Sequence, residues 1–222
     1  MEPIHFLKRP RGFTLIEMLV VLAIIVIITG IALVGQTSFN RSLILTDTAY
    51  NIGLSIREAQ SYGLSTRIFS GIQNAGYGVR FSRITPSEYI TFSDILPAAP
   101  GTYSVRCPGH DDRSATSPEA RPGNCYYSDP SELLRTYTFS RGFYISNFCG
   151  ITSGGTNICS SSTLSNMDIV FLRPNTETII TGNNATQSFV RATITVMAPD
   201  NQASRCINVT ALGAISVSLT CP

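Results

Sequence analysis

The stretch Arg11-Gly12-Phe13-Thr14-Leu15-Ile16-Glu17-Met18-Leu19-Val20-Val21-Leu22 decides the fold, because it opens an apolar run that continues to about Val34. Between residues 13 and 40 the only charged side chain is that of Glu17. A helix over these residues would be about 42 Å long at ~1.5 Å per residue, which exceeds a hydrocarbon core of about 30 Å. The sequence therefore predicts a transmembrane helix at residues 13–35.

A short basic segment precedes the apolar run. Residues 1–12 carry Lys8, Arg9 and Arg11 and are too short and polar to cross a bilayer. Because positive charges beside a membrane helix stay on the cytoplasmic side, we expect residues 1–12 to be a cytoplasmic leader and the chain after the helix to be exported. An ordinary secretory signal or signal anchor has similar regions. However, no small-x-small cleavage site follows the run.

The positions of one small and one acidic residue favour a more specific interpretation. Gly12 lies before the apolar run, and Glu17 follows five positions later. A carboxylate at the centre of a membrane helix costs roughly 2.5–3.5 kcal/mol on insertion scales, and such residues are usually functional. The sequence Gly-Phe-Thr-Leu-Ile-Glu at the start of such a segment resembles the class III signal of type IV prepilins and type II secretion pseudopilins.

This resemblance implies cleavage by prepilin peptidase between Gly12 and Phe13 and N-methylation of Phe13. It implies that Glu17 neutralises the N-terminal amine of a neighbouring subunit during assembly. The remaining signal residues, which would support recognition and packing, are Arg11, Thr14, Leu15 and Ile16. The expected partners are prepilin peptidase, other pilins or pseudopilins, the inner-membrane assembly platform and membrane lipid. The expected location is the bacterial inner membrane, with the head periplasmic, and then the filament.

Residues 36–63 continue the helical pattern as an amphipathic segment. Apolar residues recur at spacings of 4, 3, 4 and 3, which places them on one face of a helix. They are Leu45, Ala49, Ile52, Ile56 and Ala59. We expect this stripe to pack against a globular head at residues 64–222. The pair Tyr62-Gly63 indicates the helix end, with Gly63 suited to the left-handed cap position.

From about Thr66 the apolar period changes to two, which indicates strands. The predicted strands are Arg67–Ile72, Tyr77–Ile84, Glu88–Ile95, Tyr103–Cys107, Leu134–Phe139, Phe143–Phe148, Asp168–Leu172, Glu177–Thr181, Phe189–Met197, Arg205–Thr210 and Ala214–Thr220. Two segments rich in Pro, Gly and polar residues are predicted loops, Pro108–Ser131 and Gly150–Ser165.

A helical spine followed by a β-rich head is an α+β fold, the lollipop of pilins. The segment Leu54–Ser61 followed by strands, and the closing pair Arg205–Thr210 and Gly213–Ile215, resemble the FimT/GspH group of minor pilins and pseudopilins. That resemblance implies a head built from two sheets.

All six cysteines lie in the part that the sequence predicts to be exported. An even number in an exported domain favours disulfides over metal thiolates, although six cysteines allow fifteen connectivities. Proximity along the chain suggests the pairs Cys107–Cys125, Cys149–Cys159 and Cys206–Cys221, with no free thiol.

The third pair conflicts with the expected strand register. Matching the apolar faces of the last two strands pairs Ile207 with Leu219 and Val209 with Val217 around a turn at residues 212–214. This register leaves Cys206 and Cys221 one residue out of step. A bulge or a frayed strand end would be needed to join them.

Catalysis and metal binding find little support. After residue 12 the chain has no lysine, which excludes a P-loop lysine or a Schiff-base lysine there, and it has no G-x-S-x-G elbow. Its histidine, His110, lies in the Pro108–Ser131 loop beside Cys107, Asp111 and Asp112, a spacing that matches no structural zinc pattern. We expect no enzyme, no metal and no cofactor.

A FimT-like DNA-binding minor pilin is one alternative. Phosphate binding needs clustered Lys or Arg. The whole chain has 16 basic and 14 acidic side chains, and subtracting the three basic and one acidic of the leader leaves 13 of each. Ala214, Ile215 and Ser216 follow Gly213, where the DNA-binding type has arginines. Arginines that could still cluster in the head are Arg106, Arg113, Arg121, Arg135 and Arg141. DNA is therefore not an expected partner.

A signal-anchored periplasmic binding protein is the other alternative, because it would share the membrane helix but give Glu17 no role in assembly. The sequence favours a minor pilin or pseudopilin that is inserted into the membrane, processed and incorporated into a filament. It does not distinguish a type IV pilus from a type II secretion pseudopilus.

Overall fold

The computed structural model describes residues 12–65, 67–73, 75–96, 123–173 and 177–221. Within these ranges the chain forms one α-helix, one short 3-10 helix at Pro130–Glu132 and eleven strands. The chain divides into two compact units, Met1–Ser42 and Leu43–Pro222. The first unit contains the beginning of the α-helix, and the second contains its end and all the strands.

The helix is α1 (Leu15–Leu64), and the strands are β1 (Gly76–Ser82), β2 (Glu88–Asp94), β3 (Leu133–Thr138), β4 (Tyr144–Ile151), β5 (Asn157–Cys159), β6 (Asn166–Phe171), β7 (Thr178–Gly182), β8 (Gln187–Phe189), β9 (Arg191–Met197), β10 (Ser204–Thr210) and β11 (Ile215–Ser218). They form a six-stranded sheet in the order β3-β2-β1-β6-β7-β8 and a five-stranded sheet in the order β11-β10-β9-β4-β5. Every pairing in both sheets is antiparallel.

One core lies in the second unit. Side chains alternate between the two faces of a strand, so each sheet directs one set of apolar residues inward, such as Val79 and Ile169 from the six-stranded sheet and Ile194 and Ile207 from the five-stranded sheet. The fold is therefore α+β with a β-rich head of two antiparallel sheets, as the sequence predicts.

The predicted apolar stripe of α1 is part of this core. Its five side chains, Leu45, Ala49, Ile52, Ile56 and Ala59, are at most 4% exposed. Full burial of a Leu or Ile side chain contributes roughly 1.5–3 kcal/mol. On the other side of the same segment Leu43 and Leu54 are exposed. The stripe therefore fixes which face of the helix meets the sheets.

The predicted role of Gly63 is wrong. The helix continues through Leu64, and Gly63 is absent from the residues with positive φ in the described ranges. A Cβ at this position would instead clash with the backbone carbonyl of Phe171 in β6. Glycine is needed here because the helix and a strand approach closely, not because the chain turns.

Three predicted segments differ from the observed elements. Arg67–Ile72 is a tight turn with a single bridge between Phe69 and Ile72 rather than a strand, and Ser70 and Gly71 have positive φ. The predicted loop Gly150–Ser165 contains the end of β4 and the short strand β5. The predicted strand Phe189–Met197 divides at Val190, since β8 belongs to one sheet and β9 to the other. The predicted strand Tyr103–Cys107 lies outside the described residues, as does most of the Pro108–Ser131 loop.

Two disulfides join described cysteines, and both are pairs that the sequence suggests. Cys149 and Cys159 lie directly opposite each other on β4 and β5. Cys206 on β10 pairs with Cys221, which lies beyond the end of β11. Cys125 is also disulfide-bonded. Its expected partner, Cys107, lies outside the described residues.

The expected register of β10 and β11 is wrong by two residues. Ile207 lies opposite Val217, and Val209 lies opposite Ile215. The turn is tighter than predicted, because the Thr210 amide donates to the Ala214 carbonyl at 3.0 Å. A two-residue shift keeps each side chain on its face. The frayed end after Ser218 then brings Cys221 to Cys206.

Buried carboxylates hold the segment Gly123–Ser128 against the face of the six-stranded sheet that is opposite the core. The carboxylate of Asp94 accepts from the amides of Asn124 and Cys125 at 2.7 and 2.8 Å. Glu132 accepts from the Ser128 amide at 2.8 Å and from the amides of Ile95 and Leu96. A buried carboxylate that is satisfied by backbone amides fixes the segment that provides them.

Asp168 completes this arrangement with an ion pair to Arg80. Its carboxylate accepts from the Tyr127 amide at 3.1 Å and lies 3.4 Å from the Arg80 guanidinium. Arg80 also donates to the Tyr127 carbonyl at 2.6 Å. A Cβ at Gly123, where φ is +109°, would clash with Asp94. The segment therefore depends on a glycine at its start and on acidic residues beneath it.

Replacing Ile52 by alanine should lower the free energy of unfolding of the head by about 2–5 kcal/mol, because the fully buried side chain leaves a cavity. Leu54→Ala, on the exposed face of the same helix, is the matched control and should change it by less than about 0.5 kcal/mol. Chemical denaturation of the full chain in detergent, followed by circular dichroism, measures both. Equal losses would contradict the burial of this stripe.

The stability of the head should fall as the pH rises from the ordinary Asp value of 3.8 to about 7. Burial raises the pKa of Asp168 to about 7, although Arg80 opposes this effect, and burial also raises the pKa of Asp94. The folded state then binds more protons than the unfolded chain across this window, so the free energy of unfolding decreases with pH.

The denaturant midpoint of the full chain, measured at several pH values in this window, tests the expected slope. Asp168→Asn should reduce the dependence of the denaturant midpoint on pH, because the amide cannot ionise. Asp47→Asn, on the exposed face of α1, should leave it unchanged. A wild-type midpoint that rises with pH would show that these carboxyls are ionised throughout.

Candidate functional site

The residues of the predicted signal lie at the start of α1. Gly12, Phe13 and Thr14 precede the first helical residue, and all three are exposed. The Thr14 side chain accepts from the Glu17 amide at 3.3 Å, and its carbonyl accepts from the Met18 amide at 3.2 Å. Thr14 is therefore the N-cap of the helix. The Gly12–Phe13 bond consequently lies in non-helical backbone just outside the cap.

Glu17 is the third residue of the helix, and its side chain is exposed. The order Thr14-Leu15-Ile16-Glu17 matches the capping box, in which Ser or Thr precedes Glu or Gln by three positions. A negative charge in the first turn is also favourable with the helix dipole, by about 0.3–1 kcal/mol. The structure thus places Glu17, Thr14, Leu15 and Ile16 together, while Arg11 lies outside the described residues.

The side chains of the apolar span that follows are not buried by other residues of the first unit. Leu15–Leu33 comprises 19 residues with a mean hydropathy of 2.9, and none of its side chains is buried. Its length and composition are sufficient to cross a membrane, although a signal sequence meets the same criterion. A helix satisfies its backbone hydrogen bonds internally, so it is a form in which this segment can lie in lipid.

Most of the residues that were considered for metal binding or for DNA binding, neither of which the sequence favours, lie outside the described ranges. These residues are Cys107, His110, Asp111, Asp112, Arg106, Arg113 and Arg121. Of the other two arginines, Arg135 lies on β3 and Arg141 lies in the turn before β4, and both are exposed. In the described part of the chain, no group of three or more His, Cys, Asp or Glu could hold a metal ion.

The sequence pattern did not indicate that the carboxyl groups of Asp94, Glu132 and Asp168 would be buried. Only Asp168 could have been recognised from the sequence, because it lies in the apolar run Met167–Leu172. An acidic residue in a buried strand requires a hydrogen-bond or charge partner. Here the partners are backbone amides and Arg80. The three residues therefore have a structural role in holding Gly123–Ser128.

Comparison with protein families identifies the N-terminal segment. Residues 7–33 match the family model described as the prokaryotic N-terminal methylation motif. The match includes Gly12, Phe13 and Glu17 and the whole of the Leu15–Leu33 span. No curated protein and no solved structure shows significant similarity to the chain.

This motif occurs in structural subunits that are processed by prepilin peptidase and assemble with other pilins, not in a known class of enzymes. The FimT/GspH subgroup stays a prediction. In its N-terminal motif, its apolar N-terminal helix and its α+β head of two antiparallel sheets, the chain therefore resembles type IV pilins and pseudopilins.

Proposed function

We propose that the chain is a minor pilin or pseudopilin. Prepilin peptidase cleaves it between Gly12 and Phe13, and Phe13 becomes N-methylated. The helix anchors it in the bacterial inner membrane with the leader cytoplasmic and the head periplasmic. The mature subunit then leaves the surrounding membrane lipid. The assembly platform and other pilins incorporate it into a type IV pilus or a type II secretion pseudopilus.

One observation carries this proposal: an uncovered apolar span begins with an N-capped turn that contains a single carboxylate. Leu15–Leu33 exposes all its side chains, and Glu17 is the only charged residue in it. An anchor alone requires the apolar residues but not the acid. A subunit that packs its helix against other helices requires a specific polar contact as well as apolar surface.

Cleavage would supply the partner for that contact. A new N-terminal amine at Phe13 is a positive charge, and no Lys or Arg lies between residues 13 and 40. The amine of one subunit and the Glu17 carboxylate of its neighbour would neutralise each other inside the packed helices. Leaving one of two such charges unpaired typically costs roughly 3–5 kcal/mol.

The disulfides of the head support its export. Cys149–Cys159 and Cys206–Cys221 are formed, and Cys125 is also disulfide-bonded. Disulfides persist in oxidising compartments such as the bacterial periplasm and are rare in the cytosol. The disulfides therefore favour a periplasmic head, which is also the location that the basic leader predicts.

The mature chain should begin with methylated Phe13 and contain 210 residues, which is 222 minus 12. Intact-mass measurement of the protein from a piliated or secreting host tests this. Gly12→Val, which adds a branched side chain at the scissile bond, should leave the uncleaved precursor as the control. Cleavage after the apolar span would contradict the prepilin interpretation.

Glu17→Leu should be inserted and folded, with its disulfides formed, yet fail to co-purify with other prepilins. The expected loss follows from the stranded amine and corresponds to roughly 3–5 kcal/mol. Recovery of partner pilins is compared between wild type and variant at equal membrane levels. Recovery at the wild-type level would refute the assembly role and favour a signal-anchored binding protein.

Two further variants of Glu17 separate charge from shape. Glu17→Gln keeps the size of the side chain and the capping-box pattern but removes the charge, so it should behave like Glu17→Leu. Glu17→Asp keeps the charge on a shorter arm and should be intermediate. Normal assembly of Glu17→Gln would show that the side chain serves helix capping only.

A further inference from the structure

A small pocket in the head lies between the last turns of α1 and the strands β1, β2 and β3. Its volume is about 170 Å³. Three tyrosines and three charged residues contribute to its wall, namely Tyr62, Tyr77, Tyr137, Glu58, Arg67 and Arg135. Engineered apolar cavities of about 150 Å³ hold a benzene ring. The pocket therefore has room for a ligand with one ring.

Two arginines stand at this pocket, and each is held over a tyrosine ring. The Arg67 guanidinium carbon lies 4.1 Å from the centre of the Tyr62 ring, and that of Arg135 lies 5.2 Å from the centre of the Tyr137 ring. Tyr137 itself stacks on Tyr89 at 4.9 Å, nearly parallel. Cation–π contacts of this kind restrict the guanidinium groups before any ligand arrives.

Neither guanidinium forms an ion pair with a carboxylate of the described residues. Glu58 attracts Arg135 at longer range, but its carboxylate accepts a hydrogen bond from the Tyr62 hydroxyl at 2.6 Å. Among the described residues around the pocket, two positive charges thus face one negative charge. The remaining positive charge favours an anionic ligand.

A buried hydroxyl adds a donor that lacks a well-aligned hydrogen bond. Tyr77 is 1% exposed, and its hydroxyl lies near that of Ser93 on β2 but forms no hydrogen bond of good geometry with any described residue. Burial raises its pKa above 10, so the hydroxyl is protonated at neutral pH and can donate. Leaving such a group unsatisfied is unfavourable. A ligand oxygen in the pocket would satisfy it.

We propose that this pocket binds a carboxylate attached to a single ring. The fork of an arginine guanidinium matches the two oxygens of a carboxylate, and the Tyr77 hydroxyl supplies a further donor. The apolar part of the wall, which includes Ala59 and Leu134, would contact the ring. A bare inorganic anion would leave that part of the pocket unfilled.

The test is isothermal titration of the full chain in detergent with benzoate, benzamide and inorganic phosphate. Benzoate should bind, and benzamide, which has the same ring without the charge, should bind at least tenfold more weakly. Phosphate should also bind at least tenfold more weakly than benzoate. A short peptide that ends in phenylalanine distinguishes a protein C-terminus from a free acid as the source of the carboxylate. Binding of neither benzoate nor the peptide, or equal binding of benzoate and benzamide, would overturn the proposal.

Variants of the pocket connect binding to these residues. Arg67→Gln and Arg135→Gln should each weaken benzoate binding about tenfold, whereas Arg141→Gln, outside the pocket, should not change it. Tyr77→Phe keeps the buried ring and removes only the hydroxyl, so it should fold normally and bind benzoate several-fold more weakly. Wild-type affinity in both arginine variants would show that benzoate binds elsewhere.

Discussion

The burial of one apolar stripe of α1 is the interaction on which the head depends. Leu45, Ile52 and Ile56 are fully buried and pack in the same core as the inward side chains of both sheets. Each sheet alone would expose an apolar face, and a helix with one apolar stripe needs a surface to cover it. The helix and the two sheets therefore stabilise one another. Replacing a single stripe residue by a polar one would disturb all three.

Polar groups determine how the rest of the chain is attached to this core. The segment Gly123–Ser128 contributes few large apolar side chains, and it is fixed by the carboxylates of Asp94, Glu132 and Asp168, which accept its backbone amides. Without these acceptors the buried amides would be left unsatisfied, which costs about 1–3 kcal/mol for each group. Disulfides then fix the strand ends, as at Cys206–Cys221. This combination suits an exported head, in which irregular segments are held by specific bonds rather than by a larger core.

Periodicity in the sequence predicted the parts that bury apolar area. The helical stripe, most strands and the Cys149–Cys159 and Cys206–Cys221 pairs agree with the structure because each leaves a local pattern. Contacts between distant segments left no such pattern. Gly63 looked like a helix cap because its close contact with the backbone of Phe171 cannot be seen in the sequence. The register of β10 and β11 depends on the length of the turn between them, which the sequence did not indicate. At the N-terminus the signal residues are consecutive in the chain, so their proximity could be predicted without knowledge of the fold.

The position of Glu17 in the first turn changes the energetic argument for its role. At the start of the span the carboxylate can reach water in a lone anchor, so the penalty for a charge at the bilayer centre, about 2.5–3.5 kcal/mol, does not apply in full. The helix dipole contributes about 0.3–1 kcal/mol there. Packing against neighbouring helices would remove that water, and the effective penalty for burying an ion is several kcal/mol. The dipole cannot offset this penalty. Under the proposed function a second charge would arrive with the packing, and the Phe13 amine that cleavage would release would be that cation.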